Sequence, residues 1–183
     1  MELQEAILKR RSVRKFTEDV VTDDELWQIF EAVRWSPSWA NTQVWEFIVV
    51  RDKELIEKVT GTYKNPATKC SLTASALIVA CAKTGISGCY GGKEVTAIHN
   101  WYMFDLGMAV QTLCLKAHEL GLGTLVVGLM DHEACEKILT VPKGRKVVAV
   151  IPIGRSVVPP REGPARKSIA EMVSLNTFDK AMF

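Results

Sequence analysis

Apolar positions recur along the chain in two periods, and the switches between them predict the order of elements. Leu3, Ala6, Ile7 and the stem of Arg10 share one helical face, which predicts a first helix over 3–11 ending near Ser12. Thr22 followed by Glu25 is a capping box, and Leu26, Ile29, Phe30 and Val33 then repeat at helical spacing until Pro37 stops the pattern. Trp45 to Val50 reads as a strand, Asp52 to Val59 as a short helix, and Ser75 to Ala82 as an apolar strand of the kind buried on both faces. The longest helical pattern runs from Val95 to Leu120, with Gly121 as its C-terminal stop. Its apolar residues, among them Ile98, Trp101, Leu106, Val110 and Leu113, wrap around more than one face. Such a helix is expected to be buried nearly all round, at the centre of the fold or shared between subunits. A strand from Thr124 to Leu129, a helix from Asp131 to Leu139 and a strand from Lys146 to Ile153 follow. Pro159, Pro160 and Pro164 mark an extended arm, and Ser168 with Glu171 caps a last short helix. Without an internal repeat or linker, this alternation predicts one α+β domain over 1–183.

Composition narrows the class. A hydrophobic fraction of 48% is high for 183 residues and points to apolar surface covered by a partner. Net charge is only +2 and the 23 basic residues are dispersed, so nucleic acid is not suggested. No apolar run approaches the roughly 20 residues that span a bilayer, and neither end carries a leader pattern, so no membrane partner and a cytoplasmic location are expected. Cys70, Cys81, Cys89, Cys114 and Cys135 make an odd set without a CxxC pair, and they read as reduced thiols. Cys81 and Cys114 lie in apolar stretches and belong to the core, whereas Cys70 and Cys89 lie in polar loops. His99, His118 and His132 lie far apart without metal-ligand spacing, and no metal site is expected.

Two segments could carry chemistry. Arg10-Arg11-Ser12-Val13-Arg14 places three cations and a hydroxyl at a helix end. The planar arginine fork suits phosphate, although cations there also complement the helix macrodipole. Ser36-Pro37-Ser38-Trp39-Ala40-Asn41-Thr42-Gln43 is a polar loop delivered to a strand, with donors and acceptors suited to a planar heterocycle, and equally an ordinary helix-to-strand turn. Gly88 to Glu94 lacks the spacing of a phosphate-binding loop and reads as a flexible loop over a pocket.

Together, and at this spacing, the two segments resemble the opening of the nitroreductase family, which runs RRSxRxF, a helix, then PSxxNxQPW and a strand. Asp105 to Gln111, Ala117 to Gly123, Ile153-Gly154 and Arg166-Lys167-Ser168 extend the resemblance over almost the whole chain. It implies a mixed, mainly antiparallel sheet flanked by helices, a long central helix at a homodimer interface, and a C-terminal arm over 155–183 exchanged with the partner. It also implies two sites for flavin mononucleotide (FMN), each built from both chains. By motif, Arg10, Arg11 and Ser12 would contact the phosphate and ribityl chain, and Arg166 would complete the phosphate site of the other subunit. Arg14 would face the pyrimidine edge of the ring. Pro37, Ser38 and Asn41 would line the ring, with Gln43 nearby, and the backbone at Val127 and Gly128 would approach N5. The activity implied is a ping-pong transfer of hydride from NADH or NADPH to a small electron-poor acceptor such as a nitroaromatic or quinone, with no side chain as general acid or base. Val44 stands where the family has proline, and Trp39 is a large residue inside the binding loop. These departures leave open another flavin reaction on the same fold, such as reductive dehalogenation or flavin breakdown, or a redox-sensing dimer without turnover.

Overall fold

A computed structural model describes residues 1–158 and 162–183. Pro159 and Pro160 lie outside the described residues, as does the side chain of Cys70. The elements are α1 (Leu3–Lys9), α2 (Asp23–Val33), β1 (Trp45–Val50), α3 (Lys53–Gly61), β2 (Ala76–Lys83), β3 (Cys89–Tyr90), β4 (Lys93–Glu94), α4 (Tyr102–Glu119), β5 (Gly123–Thr124), α5 (His132–Ile138) and β6 (Arg145–Gly154). A four-stranded antiparallel sheet runs in the order β1-β2-β6-β5, and β3-β4 is a separate hairpin.

Capping chemistry places most helix ends where the sequence predicts them. Thr22 and Glu25 close both halves of the capping box on α2, and Asp52 and Asp131 accept the N–H of Leu55 and Ala134 to start α3 and α5. Gly121, at φ +76, stops α4: its N–H reaches the His118 carbonyl and that of Leu122 reaches Ala117, the two bonds of a Schellman motif.

Alternation along β2 divides the core into two layers. Ala76, Ile78, Ala80 and Ala82 face α2 and α4, packing on Ile29, Leu106 and Leu113. Leu77, Val79 and Cys81 face the opposite way, onto Ile56 and Val59 of α3, Cys135 of α5, and Val13 and Phe16. A bulge between Ala80 and Cys81 resets the register with β6.

Two predicted elements are shorter than expected. The helix begins at Tyr102, not Val95, because Asn100 sits at φ +59, where no helix continues, and Val95 and Ile98 are exposed. The spacing of Ile98, Trp101 and Tyr102 only mimics a helical face. The strand expected from Thr124 to Leu129 is reduced to β5 and an isolated bridge from Val127 to Val150. Its partner β6 carries Pro152, which accepts from Leu125 but has no N–H to return, so the ladder breaks there. Nor is α4 buried all round within one chain. Leu106, Ala109 and Leu113 are buried, whereas Phe104, Gly107 and Gln111 open on solvent beside half-buried Met108 and Leu115.

Candidate functional site

Residues 12–17 form an extended segment clamped between two others. Val13 N–H donates to the Thr124 carbonyl at 2.9 Å, Thr17 N–H to Arg155 at 2.9 Å, and Val157 N–H to Lys15 at 3.1 Å. Val13 and Phe16, three positions apart, are buried, while Ser12, Arg14 and Lys15 are exposed. The clamp needs glycine at two positions. A Cβ at Gly123 would overlap the Val13 side chain, and one at Gly154 would come 3.0 Å from the Phe16 ring.

What the clamp presents is a groove of about 660 Å³, lined by Arg10, Arg11, Ser12, Arg14, Lys15 and Arg166 together with Ser156, Glu162 and Pro164. Among the described residues, none of these basic side chains forms an ion pair. The exception in role is Arg11, whose Nη1 donates to the carbonyls of Leu8 at 2.6 Å and Arg10 at 2.8 Å and so closes the C-terminus of α1. His118, behind the groove on α4, has its pKa lowered, first by burial and then by Arg10, so it adds no charge at neutral pH. Arg166 also lines the groove of its own chain. Beyond it, Ile169, Met172, Phe178 and Phe183 are all exposed.

The second segment lies elsewhere. Pro37, Ser38, Asn41 and Gln43 take no part in lining the groove. Ser38 Oγ accepts the Gln43 N–H at 2.9 Å, and Gln43 Nε2 donates to Asn41 Oδ1 at 3.0 Å. Ala40, Asn41 and Gln43 all have positive φ, +43, +56 and +46, a concentration of strain that ordinary turns lack. The loop is tied to α4 by fully buried Asp105, whose Oδ1 accepts the Trp39 N–H at 3.1 Å while Oδ2 accepts from Ser87 Oγ at 2.7 Å. Val127 is buried, and both its backbone groups are used by Val150. Gly128 is exposed, and its carbonyl lies 3.1 Å from His132 Nε2.

A model of the nitroreductase family matches residues 7–155, from the helix before the arginines to the end of the last strand. The chain belongs to the nitroreductase family. A Methanothermobacter thermautotrophicus protein named as an NADH dehydrogenase/NAD(P)H nitroreductase is 29% identical over 173 residues, 92% of this chain and 83% of that one. The structure of a nitroreductase family protein from Clostridium novyi NT covers 100% of this chain and 97% of its own, at 28% identity and a TM-score of 0.76. An FMN-dependent nitroreductase from Clostridium difficile R20291 covers 96% of this chain and 100% of its own, at 26% identity and a TM-score of 0.80.

Other polar groups of this nitroreductase-family chain offer little competing chemistry. Burial pushes the thiols of Cys81 and Cys135 up to about 12 and about 11, which makes them inert, and Cys114 is raised for the same reason. No cluster that could hold a metal ion exists among the described residues, and no helix there is long and apolar enough to cross a membrane. Sequence reading missed Lys15, Ser156 and Asp105. The signal for Asp105 was present: a carboxylate among apolar residues on the long helix has to find buried donors.

Proposed function

We propose that the chain is an FMN-dependent NAD(P)H oxidoreductase that reduces small electron-poor acceptors such as nitroaromatics or quinones, and that it works as a homodimer. The observation that carries this reading is the groove: arginine side chains without carboxylate partners, held by sheet-like hydrogen bonds around a hydroxyl. A phosphate monoester fits that donor set, because guanidinium groups offer paired N–H donors and stay charged. Arg10 and Arg166, with Ser12, bind the phosphate and ribityl end, and Arg11 serves mainly to close α1. Arg14, assigned to the pyrimidine edge, holds a fixed cation where reduction builds negative charge. Bound there, FMN would supply the two-electron redox chemistry between NADH or NADPH and the acceptor. Val127 and Gly128 bring backbone close to the ring, and no side chain transfers a proton.

The ring side comes from the second chain in this reading. Pro37, Ser38, Asn41 and Gln43 stand apart from the groove of their own chain, and the open apolar stripe of α4 requires a cover. A second copy supplies both: its α4 closes the stripe, its loop reaches the ring, and the apolar residues after Ser168 cross to the partner. An obligate interface of this kind buries more than roughly 2,000 Å². Heat extraction of the purified protein tests the reading: it is expected to be yellow, to release FMN and not FAD, and to oxidise NADH or NADPH with a quinone. A colourless protein that ignores added FMN would contradict it.

A further inference from the structure

We infer that His132 is a positioning residue for the backbone at Gly128, and that its protonation sets how firmly that backbone is held beside the flavin. The inference rests on the reading that Gly128 approaches N5 of FMN, and adds what fixes the approach. Gly128 is exposed, and a side chain at its Cα would meet nothing within 4 Å, so packing does not hold it. Hydrogen bonds hold its two flanking peptides. On one side the Val127 carbonyl accepts the Val150 N–H at 2.9 Å. The peptide is trans, so the Gly128 N–H points away from β6, and it has no backbone acceptor among the described residues. On the other side the Gly128 carbonyl accepts the Met130 N–H at 3.1 Å and lies 3.1 Å from His132 Nε2.

His132 faces a carbonyl with each ring nitrogen. Nδ1 lies 3.1 Å from the Val147 carbonyl on β6, matching the contact of Nε2 with Gly128. A neutral imidazole carries one N–H and serves one of these oxygens, whereas an imidazolium carries two and serves both. The surroundings decide which bond survives loss of a proton. Val147 is buried, and its N–H is already held at 3.0 Å by Glu136 Oε1, one turn along α5 from His132. An unpaired carbonyl costs more there than at exposed Gly128, where water replaces the donor. The remaining proton therefore stays on Nδ1, and Nε2 turns a lone pair toward the Gly128 oxygen. Val127 is pinned by Val150, so the Gly128 carbonyl is the part that gives, and glycine resists little. The charged groups around the ring are Asp131, Glu133 and Glu136 on α5, with Lys146 and Arg145 on β6 paired to Glu136 and Glu46. On the α3 side stand the Glu54–Lys58 pair, Glu57 and Lys64. Among these residue types only histidine ordinarily changes charge between about pH 5 and 8. The brace on Gly128 is thus present in acid and lost as the pH rises through that range.

NMR of the purified wild-type protein tests the coupling without any substitution. The His132 ring and the Gly128 amide, followed over about pH 5–8, are expected to titrate with one midpoint. In His132→Gln, which keeps an N–H donor and has no charge to lose, the Gly128 titration is expected to vanish. FMN affinity gives the functional arm: the ratio of the wild-type to the His132→Gln dissociation constant cancels the titration of the FMN phosphate, common to both. That ratio is expected to rise about 5-fold from acid to alkaline pH, the size of one hydrogen bond. A Gly128 amide that ignores His132, or a flat ratio in protein that binds FMN, overturns this inference and leaves the flavin reading standing. A protein that binds no FMN would overturn both.

Discussion

The groove around Arg10 and the loop around Ser38 differ in how they are held. The groove is built by one chain: a segment with two buried anchors, Val13 and Phe16, is clamped by backbone hydrogen bonds on both sides, and its cations face outward without ion-pair partners. The loop carries three residues at positive φ and is tethered to α4 through Asp105 and through the Ser36–Thr112 hydroxyl pair. Its amide side chains, at Asn41 and Gln43, bond to each other. Rigid backbone around unpaired charge is an anion site complete in itself, because its donors are already oriented. Strained, exposed backbone that satisfies its own polar groups is a surface waiting for a counterpart.

The comparison breaks first at the arginines. Replacing both Arg10 and Arg166 with alanine is expected to weaken FMN binding by about 100-fold or more, since each charged hydrogen bond contributes about 1.5–3 kcal/mol. Arg11→Ala is expected to weaken FMN binding by less than about 5-fold and to lower stability by about 0.5–1 kcal/mol, because its guanidinium closes α1. Fluorescence titration with FMN and thermal melts of the apo-protein separate the two. Equal losses for Arg10 and Arg11 would place both in the same role.

A smaller effect concerns acid, on the groove side. Glu25 has its pKa lowered below the ordinary 4.5, first by the Thr22 backbone hydrogen bond and also by its bond to Arg155, the residue that clamps Thr17. A carboxylate with a depressed folded-state pKa contributes stability that is present above the unfolded value and lost as pH falls through the folded one. Glu25→Gln keeps the capping pattern without the charge. Its melting temperature is therefore expected to lie below that of wild type near pH 6, with the gap closing below about pH 4. A gap that persists at acid pH would show that the carboxylate's charge contributes nothing.

How much was readable from sequence follows the same division. Caps and alternation are local, so α2, α3, α5, β1 and β2 stood out from Thr22, Asp52, Asp131 and the apolar run at 76–82. Both misjudged elements were decided at a distance or by a single dihedral. Pro152 on β6 cut the strand after Thr124, and Asn100 turned out of the helix although its neighbours kept helical spacing. In the site, RRSVR was visible as a cluster, but the division of labour within it was not. Whether an arginine caps its own helix or faces outward depends on its rotamer. The bond from Trp39 to Asp105 joins residues 66 positions apart, and no local pattern encodes it.

The central claim is that one site takes its groove from one chain and its loop from the other. Co-expression of two variants, Arg10→Ala with Arg166→Ala on one chain and Ser38→Ala with Asn41→Ala on the other, tests it directly, with FMN content of the isolated mixed dimer as the readout. Neither parent is expected to retain flavin. The mixed dimer pairs the intact groove of one chain with the intact loop of the other, and is expected to be yellow with one FMN site. A mixed dimer as colourless as its parents would mean that groove and loop serve FMN within a single chain, and would contradict the account.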